Sequence, residues 1–421
     1  MWFQPCRFWQ SRERCIIYRL WFHKIDMNHH LLFKEISHLS PPIVVTSRPQ
    51  LEALLNSLST QSAVAVDTES NSLYAYHERV CLIQLSIPNA DYIVDPLAGL
   101  SLSPLGDLFA EPTIQKVFHA AEQDVGWLKR DFGFRLTNIF DTMWAARILG
   151  WHKVGLADVL WETFRVRTDK RYQRYNWGKR PLDEAALNYA RLDTRYLLPL
   201  RDLQAEALER MGRTEEAGEV FAQLAQTPPA APPFGPEAFW RMKGVYDLEG
   251  RERAVLRELY LWRDRVANEQ DRPPFKVISN RALVTLTRIR PRTLGELTGI
   301  RGMTPHLVRR YGRALLAAVA RGETGPIPEP PSRRPRPEEA VTERYHALRA
   351  WRRRVAAQRG VDTDVVLSNA TLWALAKRNP ATLEDMQGIE GLGPWKRRTY
   401  GPDILTVLRL QRFDRRCISS S

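Results

Sequence analysis

The chain has 421 residues, 44% hydrophobic and 26% charged, the proportions of a folded globular protein long enough for two or three domains. No stretch approaches the roughly 18 consecutive apolar residues of a membrane span. The four scattered cysteines, without a CxxC pair, argue against a disulfide framework or a zinc site. The net charge of +14 is uneven: residues 236–421 hold 36 Lys and Arg against 21 Asp and Glu, and residues 1–235 hold 26 against 27. A basic half beside a neutral half is the electrostatic footprint of nucleic-acid binding. The same count also suits an arginine-rich solvated surface.

Residues 1–42 read as an N-terminal extension. The first 26 alternate Trp and Phe with Arg and lack the apolar core of a signal peptide, so Met27 stands as an alternative start and the chain reads as cytoplasmic. Short apolar runs follow at Ala63–Asp67, Cys81–Ile87, Asp91–Asp95 and Ile114–His119. Amphipathic helical patterns cover 122–132, 141–150 and 182–200. Strands first, then mostly helices, predict an α/β domain with a mixed β-sheet over 43–226.

Three acidic motifs lie in this block. Asp67-Thr68-Glu69 ends an apolar strand, where residues two apart share a face, so the acids project together and Thr68 turns away. Asp124 stands where a strand gives way to a helix. Tyr189 and Asp193 are four apart on a predicted helix, side by side. Singly, each motif is commonplace. Together, four carboxylates brought into one cleft would repel one another and take up protons unless counter-charge arrives. Two divalent cations balance four negative charges, and hard oxygen donors suit Mg²⁺ or Mn²⁺. Such a pair supports phosphodiester hydrolysis by water.

Two proline-rich stretches, 227–236 and 323–339, read as extended linkers. They bound blocks 237–322 and 340–411, leaving 412–421 as a disordered tail. The two blocks align without a gap at a constant spacing of 89 residues, matching Trp262 with Trp351, Ser279-Asn280 with Ser368-Asn369 and Tyr311-Gly312 with Tyr400-Gly401. Each copy reads as all-helical, with Ser279 or Ser368 capping a helix. A glycine turn precedes the last helix, either as a tight helix–helix connection or as a phosphate approach.

The phrases VAVDTES, RVCLIQLS, KVFHAAEQDVGWLKRDFG and YARLDTRYLLPL resemble the ribonuclease D family. The repeats resemble its HRDC domains. The resemblance implies a ribonuclease H-like exonuclease domain of the tyrosine-bearing DEDD type, followed by two small all-α HRDC domains. It further implies two divalent cations held by Asp67, Glu69, Asp124 and Asp193, with Tyr189 orienting the attacking water. His119, Leu73 and Tyr74 would contact substrate, with Tyr175 a further stacking candidate. Gln84 and Trp177 read as core. The implied activity is 3′→5′ trimming of single-stranded RNA ends, such as those of tRNA precursors, to nucleoside 5′-monophosphates, without an obligate protein partner. A DNA-directed exonuclease and a nucleic-acid scaffold with an inactive nuclease domain remain as alternatives. The chain has no phosphate loop of the helicase kind.

Overall fold

The computed structural model describes residues 40–168, 170–231, 235–331 and 336–418. The expectations for the N-terminal extension before residue 40 and for Met27 lie outside them. Six strands form one mixed sheet: β1 (Ile43–Val45), β2 (Ala63–Ser70), β3 (Val80–Ile87), β4 (Ala90–Val94), β5 (Gln115–Phe118) and β6 (Ile139–Asp141), in the order β1-β4-β3-β2-β5-β6. Only the β2–β3 and β3–β4 pairings are antiparallel. The Ala-Val-Ala-Val that opens β2 is buried throughout, as a central strand covered on both faces requires. The edge strands β1 and β6, three residues each, are too short for apolar alternation to reveal.

Helices pack on both faces: α1 (Arg48–Ser59), α2 (Ser103–Ala110), α3 (Glu122–Phe132), α4 (Thr142–Leu149), α5 (Leu156–Phe164), α6 (Glu184–Ala190), α7 (Leu192–Arg195), α8 (Leu197–Arg210) and α9 (Thr214–Ala225). The segment 182–200, read as one helical pattern, is three helices. The bonding pattern breaks at Arg191, although its backbone stays right-handed (φ −64°, ψ −23°). Tyr189 and Asp193 therefore sit on successive helices that keep nearly the offset of one.

The first repeat contains α10 (Gly250–Glu269), α11 (Pro274–Val277), α12 (Asn280–Ile289), α13 (Leu294–Thr298) and α14 (Pro305–Thr324). The second contains α15 (Glu339–Arg359), α16 (Thr363–Val366), α17 (Asn369–Arg378) and α18 (Pro394–Ile418). The last helix runs on to Ile418 where the sequence reads as a disordered tail. Ser279 and Ser368 cap α12 and α17. Trp262 meets Tyr311 edge-on at 5.5 Å, and Trp351 meets Tyr400 at 5.8 Å. Buried Arg263 donates to the Ile278 carbonyl and Asn280, and Arg352 repeats this with Leu367 and Asn369. The glycine turns serve close packing: Gly302, at φ 98°, would place a Cβ 3.2 Å from that of Ala282.

Both repeats dock on the nuclease domain through the same corner, the turn leading into their second helix. In the second repeat, Val361 and Val365 join the nuclease core. Asp364 pairs with Arg147 at 2.6 Å, and a side chain on Gly150 would collide with the Gly360 carbonyl. Arg359 reaches the fully buried Glu216 with two bonds, at 2.8 and 2.5 Å. Glu219 accepts the Trp395 amide at the start of α18 at 2.6 Å. In the first repeat, Asp271 accepts the amides of Tyr76 and His77 at 3.0 and 2.9 Å. Asp264 accepts the Tyr76 hydroxyl, and the Lys276 ammonium lies 3.8 Å from the centre of the Tyr74 ring.

Candidate active site

The antiparallel register of β2 and β3 sets Asp67 opposite Gln84 and Glu69 opposite Leu82. These four side chains share one face of the sheet, because residues two apart on a strand and directly paired residues point the same way. Beside them Leu82, Ile93, Trp177, Ala186 and Ala190 form a small buried cluster against which Tyr189 packs. One step further along β3, the Ser86 hydroxyl bonds Thr194 of α7 at 2.7 Å, and Asp91 receives Arg195 at 3.0 Å. These bonds seat α7, and with it Asp193, on the sheet face that carries Asp67 and Glu69.

Asp124 arrives from the first turn of α3, after Ala120 turns the chain at φ 66°. Its Oδ1 accepts the Thr68 hydroxyl. Thr68 does face away from its neighbours along the strand, but towards Asp124, so it anchors the third acid instead of standing apart from the site. Sequence reasoning missed this role, and an alternating strand with a hydroxyl between two acids gives no signal for it.

The four acids act on one another. Burial, then repulsion from Asp124, Asp193 and Glu69, drives the Asp67 carboxyl well above its usual range. Glu69 is raised by burial and then by Asp193 and Asp124. Burial lifts Asp124 to about 7, against the Thr68 hydrogen bonds that lower it, and burial with repulsion from Asp124 lifts Asp193 to about 7. No group of three His, Cys, Asp or Glu among the described residues forms a ready-made ion cage. The acids stand within electrostatic reach, with Asp124 committed in part to Thr68.

The donor set nevertheless suits a hard divalent cation: all four groups are carboxylates whose charge is disfavoured until positive charge joins them. A further observation agrees. Gln84, fully buried and opposite Asp67, has neither carboxamide atom partnered by protein, which is costly for a group that serves packing alone.

The remaining candidates divide. Tyr189 stacks on Tyr172 at 5.3 Å and on Trp177 at 6.3 Å, so its ring is fixed beside the acids' sheet face. Tyr74 donates to the Arg174 carbonyl at 2.5 Å, and Leu73 is 40% exposed. Tyr175 is committed to Asp183 at 3.0 Å. Trp177 is buried, as expected, and Arg180 braces the floor by bonding both oxygens of Asp95. His119 pairs its Nδ1 with the Thr142 hydroxyl at 2.9 Å. Burial holds its ring near a pKa of about 4, and none of the four acids is among the groups acting on it. A cleft of about 1130 Å³ between α9 and the second repeat includes Glu122, Glu215, Glu219 and Asp364 in its lining, but none of the four clustered acids.

The mixed sheet carries four mutually repelling acids from three chain segments. The family described as 3′-5′ exonuclease matches residues 42–208, and the HRDC domain family matches 252–319 and 341–408. Ribonuclease D of Acidiphilium cryptum is 30% identical over 87% of this chain and 93% of its own. The crystal structure of Escherichia coli RNase D, described as an exoribonuclease involved in structured RNA processing, superposes with a TM-score of 0.64. It is 25% identical, over 88% of this chain and 99% of that one. The exosome complex component 10 homolog of Caenorhabditis elegans is 34% identical over 66% of this chain, which spans only 32% of that relative's length. The chain belongs to the ribonuclease D family of 3′–5′ exoribonucleases, with two HRDC domains behind its exonuclease domain.

Proposed function

We propose that this chain hydrolyses single-stranded RNA from the 3′ end, releasing nucleoside 5′-monophosphates, with Asp67, Glu69, Asp124 and Asp193 holding two divalent cations, Mg²⁺ or Mn²⁺. The observation that carries the reading is the mutual repulsion of these four carboxylates in one partly buried cluster. Bound there, the ions would supply Lewis-acid stabilisation of the attacking and leaving oxygens. The chain's own groups do the rest. Strand β2 fixes Asp67 and Glu69, the Thr68 hydroxyl orients Asp124, and the Ser86–Thr194 bond seats the helix bearing Asp193. Tyr189, locked in its aromatic stack, orients the attacking water; an ordinary phenol titrates near 10 and is a poor base at neutral pH. Leu73 and Tyr74 offer apolar surface to the terminal bases. The likeness to a processing enzyme for structured RNA favours RNAs with single-stranded 3′ tails, tRNA precursors among them, met in the cytoplasm.

Digestion of a 3′-tailed RNA tests this. Mg²⁺ or Mn²⁺ is expected to yield stepwise loss from the 3′ end, EDTA none, and Asp193→Asn a fall of about a thousandfold or more. Internal fragments, or an undiminished Asp193→Asn, refute the reading. Equal rates on a matched DNA strand would move it to a DNA-directed enzyme.

Gln84→Leu separates a role at the site from packing. Removing an unpartnered amide is expected to stabilise the ion-free protein by about 1 kcal/mol. If the amide serves the site, Mn²⁺ affinity measured by calorimetry falls at the same time; unchanged affinity assigns Gln84 to packing.

A further inference from the structure

The docking corners of the two repeats can be compared residue by residue, since they align at the constant spacing. Asp271, Arg272, Phe275 and Lys276 in the first correspond to Gly360, Val361, Asp364 and Val365 in the second. In the second repeat the corner is consumed by docking: both valines enter the nuclease core and Asp364 is paired with Arg147. In the first, only Asp271 is spent on the nuclease backbone. Phe275 is left 54% exposed, and Lys276 is exposed above the Tyr74 ring. Arg272 lies close enough to act electrostatically on Lys276, and no salt bridge among the described residues engages either cation.

Tyr74 follows Glu69 by five residues, so chain geometry keeps the two within about 18 Å. An exposed cation and ring, Lys276 and Phe275, beside the half-buried Arg272 and Tyr74 at the rim of a site for phosphodiesters, match a single strand's alternation of phosphates and stacking bases. The cleft beside the second repeat's corner includes Glu122, Glu215 and Glu219 in its lining, with Glu215 paired to Arg398 and Glu219 accepting the Trp395 amide, so the latter two are spent within the chain.

We propose that Phe275 and Lys276, with Arg272 behind them and Leu73 and Tyr74 across the junction, form a subsite for single-stranded RNA upstream of its 3′ end. The first repeat steers substrate and the second is a brace. This rests on the exoribonuclease reading above.

The test uses the full chain and a single-stranded RNA of about 12 nucleotides, with binding followed by fluorescence anisotropy in EDTA so that affinity is read without hydrolysis. Lys276→Glu is expected to weaken binding about tenfold and to lower the slope of log affinity against log salt by about 0.7 or more. Phe275→Ala is expected to weaken binding about tenfold, through lost stacking. Lys377→Glu, the same charge change at an exposed site on the second repeat, leaves affinity unchanged, and all three variants cleave a dinucleotide at the wild-type rate. Lys276→Gln, with a melting curve, guards against a disturbed junction and is expected to lose affinity in the same direction. RNA binding unaffected at both positions 275 and 276 overturns the proposal, as does an equal loss from Lys377→Glu. If these affinity losses occur in a chain that cleaves no RNA with any metal, the nuclease reading fails and the subsite stands.

Discussion

Arg359 of the second repeat and Gln270 of the first stand at equivalent positions, and each meets the tyrosine hydroxyl of its own repeat, Tyr400 or Tyr311. Arg359 then reaches out to Glu216, whose side chain is wholly buried in the nuclease domain, whereas Gln270 turns to Arg310 within its own repeat. The internal networks are copies, but the outward contacts are not. One repeat is held by a buried ion pair and two inserted valines; the other rests on the half-buried Tyr76, whose ring packs against its core and whose hydroxyl bonds Asp264, and on the Asp271 hydrogen bonds to the same loop. Duplication preserved the residues that fold each unit and let the corner residues diverge, so one copy became a fixture and the other kept an open, basic face.

The comparison can be broken at its strongest contact. Glu216→Ala leaves Arg359 desolvated without its partner and is expected to cost about 3 kcal/mol, read as a lowered urea midpoint and as earlier proteolysis of the second repeat. A loss under about 1 kcal/mol would mean that the ion pair is not what holds this copy. A smaller effect sharpens the other side. Asp271→Gly installs the second repeat's residue where φ is +42°, a backbone conformation that glycine adopts freely. Losing two exposed hydrogen bonds is expected to cost about 1 kcal/mol or less while raising KM for tailed RNA and sparing dinucleotide cleavage. A stability loss matching that of Glu216→Ala would erase the distinction between brace and guide.

The sequence revealed the scaffold where its signals were periodic or repeated. Strand β2, helix α3 and the two repeats lie where apolar spacing and the constant offset placed them, and Ser279 and Ser368 cap as expected. It failed where the determinant is a contact between distant residues. Thr68 was expected to turn away from its acidic neighbours, and it does so onto Asp124, fifty-six residues on. His119, expected to contact substrate, holds a bond to Thr142 that the sequence does not show. Gln84, read as core, is fully buried, but its register opposite Asp67 and its lack of a protein partner are not visible in a strand pattern. Tyr175, expected to stack on bases, donates its hydroxyl to Asp183, a contact the sequence does not show. The unequal docking of the repeats was invisible as well, since charge counts locate basic residues without saying which are spent on other parts of the chain.

The acid cluster itself is most directly tested by thermal unfolding as a function of pH, with and without Mn²⁺. Asp124 and Asp193 are raised in the folded chain to about 7, above the ordinary carboxylate value near 4. The stability linked to their protons is therefore whole below that ordinary value and is lost as pH rises through about 7. In EDTA the melting temperature is expected to fall between pH 5 and pH 8, more steeply in the wild type than in Asp193→Asn. Mn²⁺ is expected to stabilise the wild type increasingly over the same range, because it competes with those protons. Identical pH slopes for wild type and Asp193→Asn, with no Mn²⁺ response in either, would contradict a converged four-acid site.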